Sequence, residues 1–159
     1  MSTSLSMYRI PDSPERRELS GAESRSPSKH LEDLPHLELV EKAGINSTGF
    51  SCIEHAFSDL PWYTESFDRW RLMRAWSLRD LQLDFDFKVV KQSEPSSHIA
   101  YLTDWETGLW QPVHYAKVES GLTVTSKFGE NGPVYRHDAR LVPDVYGELL
   151  VFLAFQPNQ

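Results

Sequence analysis

The sequence has little cysteine, little glycine and no long apolar run. Its single cysteine, Cys52, excludes an intramolecular disulfide and every zinc site built from several cysteines, and it fits a reducing compartment. No apolar run approaches the roughly 20 residues of a membrane-spanning helix, and the N-terminus lacks the hydrophobic core of a signal peptide. These absences predict an intracellular protein, cytoplasmic or nuclear.

Positive charge is also in the minority. Sixteen lysines and arginines face 23 acidic residues, which gives a net charge of −7 and disfavours an extensive nucleic-acid footprint. The eight glycines form no phosphate-binding loop, and neither a GxSxG elbow nor an HExxH or multi-cysteine metal motif occurs. We therefore expect a non-enzymatic protein without a cofactor or a bound metal.

The first 36 residues differ in composition from the rest of the chain. They hold eight serines, four prolines and five basic against six acidic residues, and Tyr8 is their only aromatic residue. Such a segment buries too little apolar surface to offset its ordering entropy. The sequence predicts a disordered tail over residues 1–36 and one folded domain over residues 37–159.

Within the domain, the stretch from Leu81 to Lys91 predicts a half-buried strand. Its apolar side chains recur at every second position, and charged or amide side chains occupy the positions between. Two helices are predicted before it, from Ser51 to Leu60 and from Thr64 to about Asp80. Further strands are expected near residues 37–42, 99–105, 113–119, 122–128, 134–142 and 148–155, the last of them central and buried on both faces. This pattern indicates an α+β domain with a mixed, mostly antiparallel sheet of five to seven strands, covered by two helices.

The most unusual stretch runs from Trp62 to Arg79. It carries four arginines against Glu65 and Asp68, a local charge of +2 in an acidic protein. Tryptophan and arginine are enriched in the residues that dominate binding energy at protein interfaces, and tryptophan also favours the membrane interface. Packing within the fold is the alternative, because arginine also stacks on indole rings. The predicted interaction surface comprises Trp62, Phe67, Arg69, Trp70, Arg71, Arg74, Trp76, Trp105 and Trp110.

Three other chemistries remain open at this stage. Asp84, Asp86 and Lys88 would share one strand face, as in the second half of the PD-(D/E)xK nuclease signature, whose carboxylates hold a divalent metal. Cys52 and His55, three apart on a predicted helix, would form a nucleophile and base if the thiol pKa were lowered. A small-ligand-binding half-barrel would require an apolar cavity of several hundred cubic ångströms between sheet and helices.

The order of elements resembles that of the rhabdovirus matrix proteins. A polar tail is followed by a strand, a helical pair, an amphipathic strand and a run of strands that ends in GELLVFLAFQP. The resemblance implies a small non-enzymatic assembly protein that self-associates, coats nucleocapsids and contacts membranes peripherally. The chain departs from that family in lacking a PPxY motif and in having a slightly acidic tail. We therefore expect an assembly protein that binds a protein partner or itself.

Overall fold

The computed structural model describes residues 6–25, 37–41, 52–74, 77–104, 110–128 and 133–157. These residues form one sheet of eight strands, and every described strand pair is antiparallel. The strands are β1 (Met7–Arg9), β2 (Glu38–Glu41), β3 (Phe87–Val90), β4 (His98–Asp104), β5 (Trp110–Ser120), β6 (Thr123–Lys127), β7 (Val134–Asp138) and β8 (Leu149–Phe155). Their order is β1-β8-β4-β5-β6-β7-β2, and β3 pairs with β8 next to β1. The predicted α+β class is confirmed.

Strand β8 is the centre of one half of the sheet. It pairs with β4 along one edge, while β1 and β3 share its other edge, β1 opposite residues 149–151 and β3 opposite residues 152–155. Val151 and Leu153 face one hydrophobic cluster, and Leu150 and Phe152 face another. A nearly continuous apolar run suits such a strand because both of its faces are covered. The prediction of a central strand at this position is confirmed.

Three short helices cover one face of the sheet. They are α2 (Cys52–Phe57), a 3-10 helix (Arg69–Met73) and α3 (Ser77–Asp84). Their buried side chains, chiefly Phe57, Leu72 and Leu81, pack on Tyr115 and Leu153 of the sheet. The helices therefore bury one apolar face of the sheet.

The opposite face is covered by residues 139–148 and by the N-terminal helix α1 (Pro14–Arg25). Leu19 of α1 is fully buried beside Phe128 and Tyr135. The guanidinium of Arg16 is buried and donates hydrogen bonds to the carbonyl oxygens of Val142, Pro143 and Gly147. Burial lowers the pKa of Arg16, and nearby Asp144 partly opposes this effect.

Residues 6–25, which the sequence places in the predicted disordered tail, include β1 and α1 in the structure. Composition pointed to disorder because few apolar residues lie there, but Ile10 and Leu19 are both buried, and Arg16 adds hydrogen bonds to distant carbonyls. Residues 1–5 and 26–36 lie outside the described residues.

The predicted strand from Leu81 to Lys91 is also only partly correct. Residues 81–84 finish helix α3, and the strand is limited to Phe87–Val90. Leu78, Leu81 and Phe85 are buried at helical spacing, whereas Leu83 is 67% exposed. The spacing of the apolar residues fitted both a helix and a strand, and the packing of α3 against the sheet selected the helix.

The predicted long helix from Thr64 to Asp80 is divided into the 3-10 helix and α3. Arg74, at the end of the 3-10 helix, has extended backbone angles. The apolar residues of this stretch do not form one helical stripe, so an unbroken helix would leave part of them in water. The break lets Leu72 and Leu78 both reach the core.

Candidate protein-interaction site

The 3-10 helix presents Trp70 to solvent while it buries Leu72. Trp70 is 77% exposed and Leu72 is fully buried. The carboxylate of Asp68 caps the helix by accepting a hydrogen bond of 3.1 Å from the backbone N–H of Trp70. The cap and the buried leucine together hold the backbone of Trp70 in place, so the indole projects from an ordered support.

The arginines around Trp70 are largely engaged within the fold. Arg71 forms ion pairs with Asp80 at 3.2 Å and with Asp84 at 2.6 Å, and its guanidinium lies 4.9 Å from the ring centre of Phe85. Arg74 pairs with Asp68 at 3.4 Å. Each exposed pair contributes at most about 1 kcal/mol, but the two Arg71 pairs link the 3-10 helix to α3.

A second exposed apolar side chain lies on the neighbouring helix. Leu83 of α3 is 67% exposed and precedes Asp84, the residue that pairs with Arg71 next to Trp70. The exposed arginine Arg79 is also on α3. The 3-10 helix and α3 therefore offer an indole, an aliphatic side chain and a cation on two linked elements.

Two aromatic residues predicted for this surface are instead half-buried in the core. Trp62 lies 4.5 Å from Phe85 and 5.1 Å from Phe67, measured between ring centres. Its indole N–H is buried and has no hydrogen-bond partner among the described residues. Trp62 and Phe67 thus join the hydrophobic cluster beneath the helices rather than extending the exposed surface.

None of the remaining predicted surface residues adds to the exposed surface in the described part of the chain. Trp110, at the start of β5, is half-buried and packs against the helix-covered cluster. Trp76, Trp105 and the side chain of Arg69 lie outside the described part of the chain. Trp70, Arg71 and Arg74 therefore lie on the 3-10 helix or at its end, whereas Trp62, Phe67 and Trp110 pack against the hydrophobic cluster.

The three residues of the nuclease hypothesis do not share a strand face. Asp84 lies on helix α3 and pairs with Arg71, whereas only Lys88 lies on a strand. Asp86 adopts a left-handed conformation with φ of 63° between the helix and β3. The residues described by the structure contain no group of three or more histidine, cysteine, aspartate or glutamate side chains that could hold a metal ion.

Cys52 and His55 are not poised as a nucleophile and base. Burial raises the pKa of the Cys52 thiol to about 11, which keeps it protonated near neutral pH. Burial, aided by Lys117, lowers the pKa of His55 to about 4, and its Nε2 lies 3.1 Å from the hydroxyl of Thr125. The two side chains are therefore neutral at neutral pH and belong to the packing of α2.

Ser126 and His137 form a hydrogen-bonded pair that the sequence did not indicate. The Nδ1–H of His137 donates to the carbonyl oxygen of Asp138 at 2.7 Å, so Nε2 accepts from the Ser126 hydroxyl, also at 2.7 Å. Both residues are buried, with 0% and 3% exposure, which fits a structural pair that orders β6 and β7. Their meeting depends on strand register, and no local motif signals it.

The space between the sheet and its helices is occupied by a packed hydrophobic cluster. Two depressions among the described residues lie at the surface instead. One, of about 350 Å³, is lined by Gln82, Asp86, Phe87, Lys88 and Gln156, and the other, of about 200 Å³, is lined by Pro11, Ser13, Asp138, Arg140 and Leu141. Both depressions are open to solvent, so neither is the enclosed cavity between sheet and helices that the half-barrel hypothesis requires.

Within the described residues, no helix is long and apolar enough to cross a membrane. No protein-family model matches the chain, and comparisons with curated proteins and with solved structures give no match either.

Proposed function

We propose that the chain is a non-enzymatic interaction or assembly protein, and that Trp70 is the centre of its contact with a protein partner or with a second copy. The observation that carries the proposal is the 77% exposure of Trp70 on a capped 3-10 helix whose leucine, Leu72, is buried. An exposed indole on an ordered support favours binding, because little conformational freedom is lost on contact.

The charged groups around Trp70 support a protein partner over a nucleic acid. Arg71 and Arg74 are neutralised by Asp68, Asp80 and Asp84, so the surface has little excess positive charge with which to bind phosphates. Exposed Leu83 adds apolar contact area on the adjoining helix. This combination of an aromatic anchor with a polar, charge-paired rim is typical of protein–protein interfaces.

The rhabdovirus matrix-like role is the more specific form of this proposal. It rests on the order of elements and on the exposed Trp70, which would serve as the self-association surface. The nucleocapsid and membrane contacts of that family remain predictions for this chain, as does its intracellular location.

Sedimentation equilibrium of the purified full-length chain over a range of concentrations tests self-association. Trp70→Ala should abolish a concentration-dependent rise in mass, whereas Val145→Ala should not, because Val145 is similarly exposed at 65% but lies in a separate 3-10 helix, Asp144–Tyr146. Circular dichroism confirms that both variants are folded. Association that is unchanged in folded Trp70→Ala would exclude Trp70 as the self-association contact.

If the wild-type chain stays monomeric, contact with a different protein is tested instead. A photo-crosslinking amino acid is placed at position 70, and position 145 is the control. Crosslinks in the cells of origin that depend on position 70 would support a partner at Trp70. Identical crosslinks from both positions would contradict it.

A further inference from the structure

Helix α2 is held on the sheet by two histidines, one on each side of the contact. His98 lies on β4, and its Nε2–H donates a hydrogen bond of 2.7 Å to the carbonyl oxygen of Ala56 in α2. His55 lies on α2, and its Nε2 is 3.1 Å from the Thr125 hydroxyl on β6. These two hydrogen bonds join α2 to β4 and β6, and Ile53, Ala56 and Phe57 of the helix are buried in the same contact.

Both histidines lie where an added positive charge is unfavourable. His98 is only 4% exposed, and its ring lies against Phe57 and Phe87, with ring centres 5.1 and 5.2 Å away. Burial, opposed by the hydrogen bond to Ala56 and aided by Lys117, lowers the pKa of His98 to about 4.

The charged groups facing the pair are Lys117 on β5, Lys127 on β6 and Asp59 just after α2. Asp59 is already paired with Lys117 at 3.2 Å. Two additional positive charges would therefore lie near Lys117 and Lys127. Repulsion among these charges adds to the cost of burying protonated imidazoles.

We propose that α2 is an acid-released cover, which detaches from the sheet when His55 and His98 are protonated while the central strands stay folded. Detachment would expose the aromatic surface on which Phe57 packs, including Phe87 and Tyr115. This inference does not depend on the proposed contact at Trp70.

The direction of the pH dependence follows from proton linkage. With α2 docked, the pKa of His98 is about 4, whereas the free side chain has a pKa of 6.5, so the detached form binds more protons between these values. The docked form is therefore favoured fully above pH 6.5 and progressively less as the pH falls to 4. If detachment returned His98 fully to a pKa of 6.5, the docking equilibrium constant would fall by at most roughly 150-fold at pH 4. His55 adds a smaller effect because it is more exposed.

The single cysteine reports on α2, because Cys52 is the first residue of the helix and is partly buried against the core. Its labelling by a dipyridyl disulfide, which reacts with thiols in acid, is measured from pH 7 to pH 4 relative to an unfolded peptide that carries the same cysteine. Hydrogen exchange of α2 and of β4 and β8 is measured in parallel. We expect Cys52 and α2 to lose protection as the pH falls, while β4 and β8 stay protected.

The double variant His55→Gln and His98→Gln keeps hydrogen-bonding groups but cannot become positively charged, so it should hold α2 closed across this range. His137→Gln is the control for general destabilisation. His137 faces the opposite side of the sheet and bonds Ser126, so its replacement should lower the protection of α2 and of the sheet alike, and it should keep the selective acid response of α2. Should the double variant fold poorly, each single variant should still reduce the acid response. The proposal is overturned if α2 and the sheet of the wild type lose protection together as the pH falls. It is also overturned if the wild-type pH profile persists in the His55→Gln and His98→Gln variants.

Discussion

The guanidinium of Arg16 donates a hydrogen bond of 2.8 Å to the carbonyl oxygen of Gly147, a residue 131 positions further along the chain. Arg16 also bonds the carbonyl oxygens of Val142 and Pro143, so one side chain joins helix α1 to the segment that covers the sheet. Residues 6–25 are thereby part of the domain rather than an appendage.

Replacing Arg16 with methionine should lower the free energy of unfolding by about 2–4 kcal/mol, because three buried carbonyl oxygens lose a charged donor. Urea unfolding measures the difference. Arg17→Met is the control, since Arg17 is 57% exposed and pairs only with Asp12 in the described structure, and it should cost less than about 0.5 kcal/mol. Equal losses in the two variants would contradict the structural role of Arg16.

Gly147→Ala should be far more destabilising than Gly121→Ala. Gly147 has φ of 119°, and an added Cβ would lie 2.5 Å from the carbonyl oxygen of Leu102. Gly121, in the β5–β6 turn, has φ of 56° and open space around the same position. We expect a cost of about 1–2 kcal/mol at Gly121 from backbone strain alone and more than about 3 kcal/mol at Gly147. Thermal unfolding of both variants checks the order.

Asp86→Gly should stabilise the protein by about 0.5–1 kcal/mol, because Asp86, two residues after the end of α3, has a left-handed conformation that glycine adopts without strain. Asp86→Ala should instead be neutral or destabilising, and chemical denaturation distinguishes the two. An alanine more stable than the glycine would refute the backbone explanation.

The same geometry improves the test of the nuclease hypothesis. Asp86→Asn tolerates positive φ and removes the carboxylate, so it separates loss of a metal ligand from loss of stability. Magnesium-dependent cleavage by the wild type that disappears in a stable Asp86→Asn variant would revive that hypothesis.

Trp62→Ala and Trp70→Ala should differ sharply in stability. Trp62 is packed against Phe57, Phe67 and Phe85, so its removal should cost about 2–4 kcal/mol. Trp70 is largely exposed, and its removal should change stability by less than about 0.5 kcal/mol. Guanidinium unfolding curves of the two variants provide the comparison, and a large loss in Trp70→Ala would show that the indole supports the fold.

Local sequence pattern located the candidate site only approximately, and tertiary packing decided which of its residues are exposed. Sequence identified the stretch with exposed Trp70, but it could not distinguish Trp70 from Trp62, because exposure depends on where the 3-10 helix meets the sheet. The proximity of His55 and His98, the pair proposed to respond to acid, could not be predicted from the sequence for a related reason. Its members are 43 positions apart, and strand pairing brings β4 beneath α2.

The sequence by itself determined the α+β class and the strands near the C-terminus, because strongly apolar or alternating segments bounded by turn residues have few other ways to bury their side chains. Tertiary structure decided the rest. Residues 81–84 fit helical and strand spacing equally well, and contact with the sheet selected the helix. Residues 6–25 carry too few apolar groups to indicate order locally, and they are held by carbonyl oxygens and strand edges that exist only after the remainder of the chain has folded.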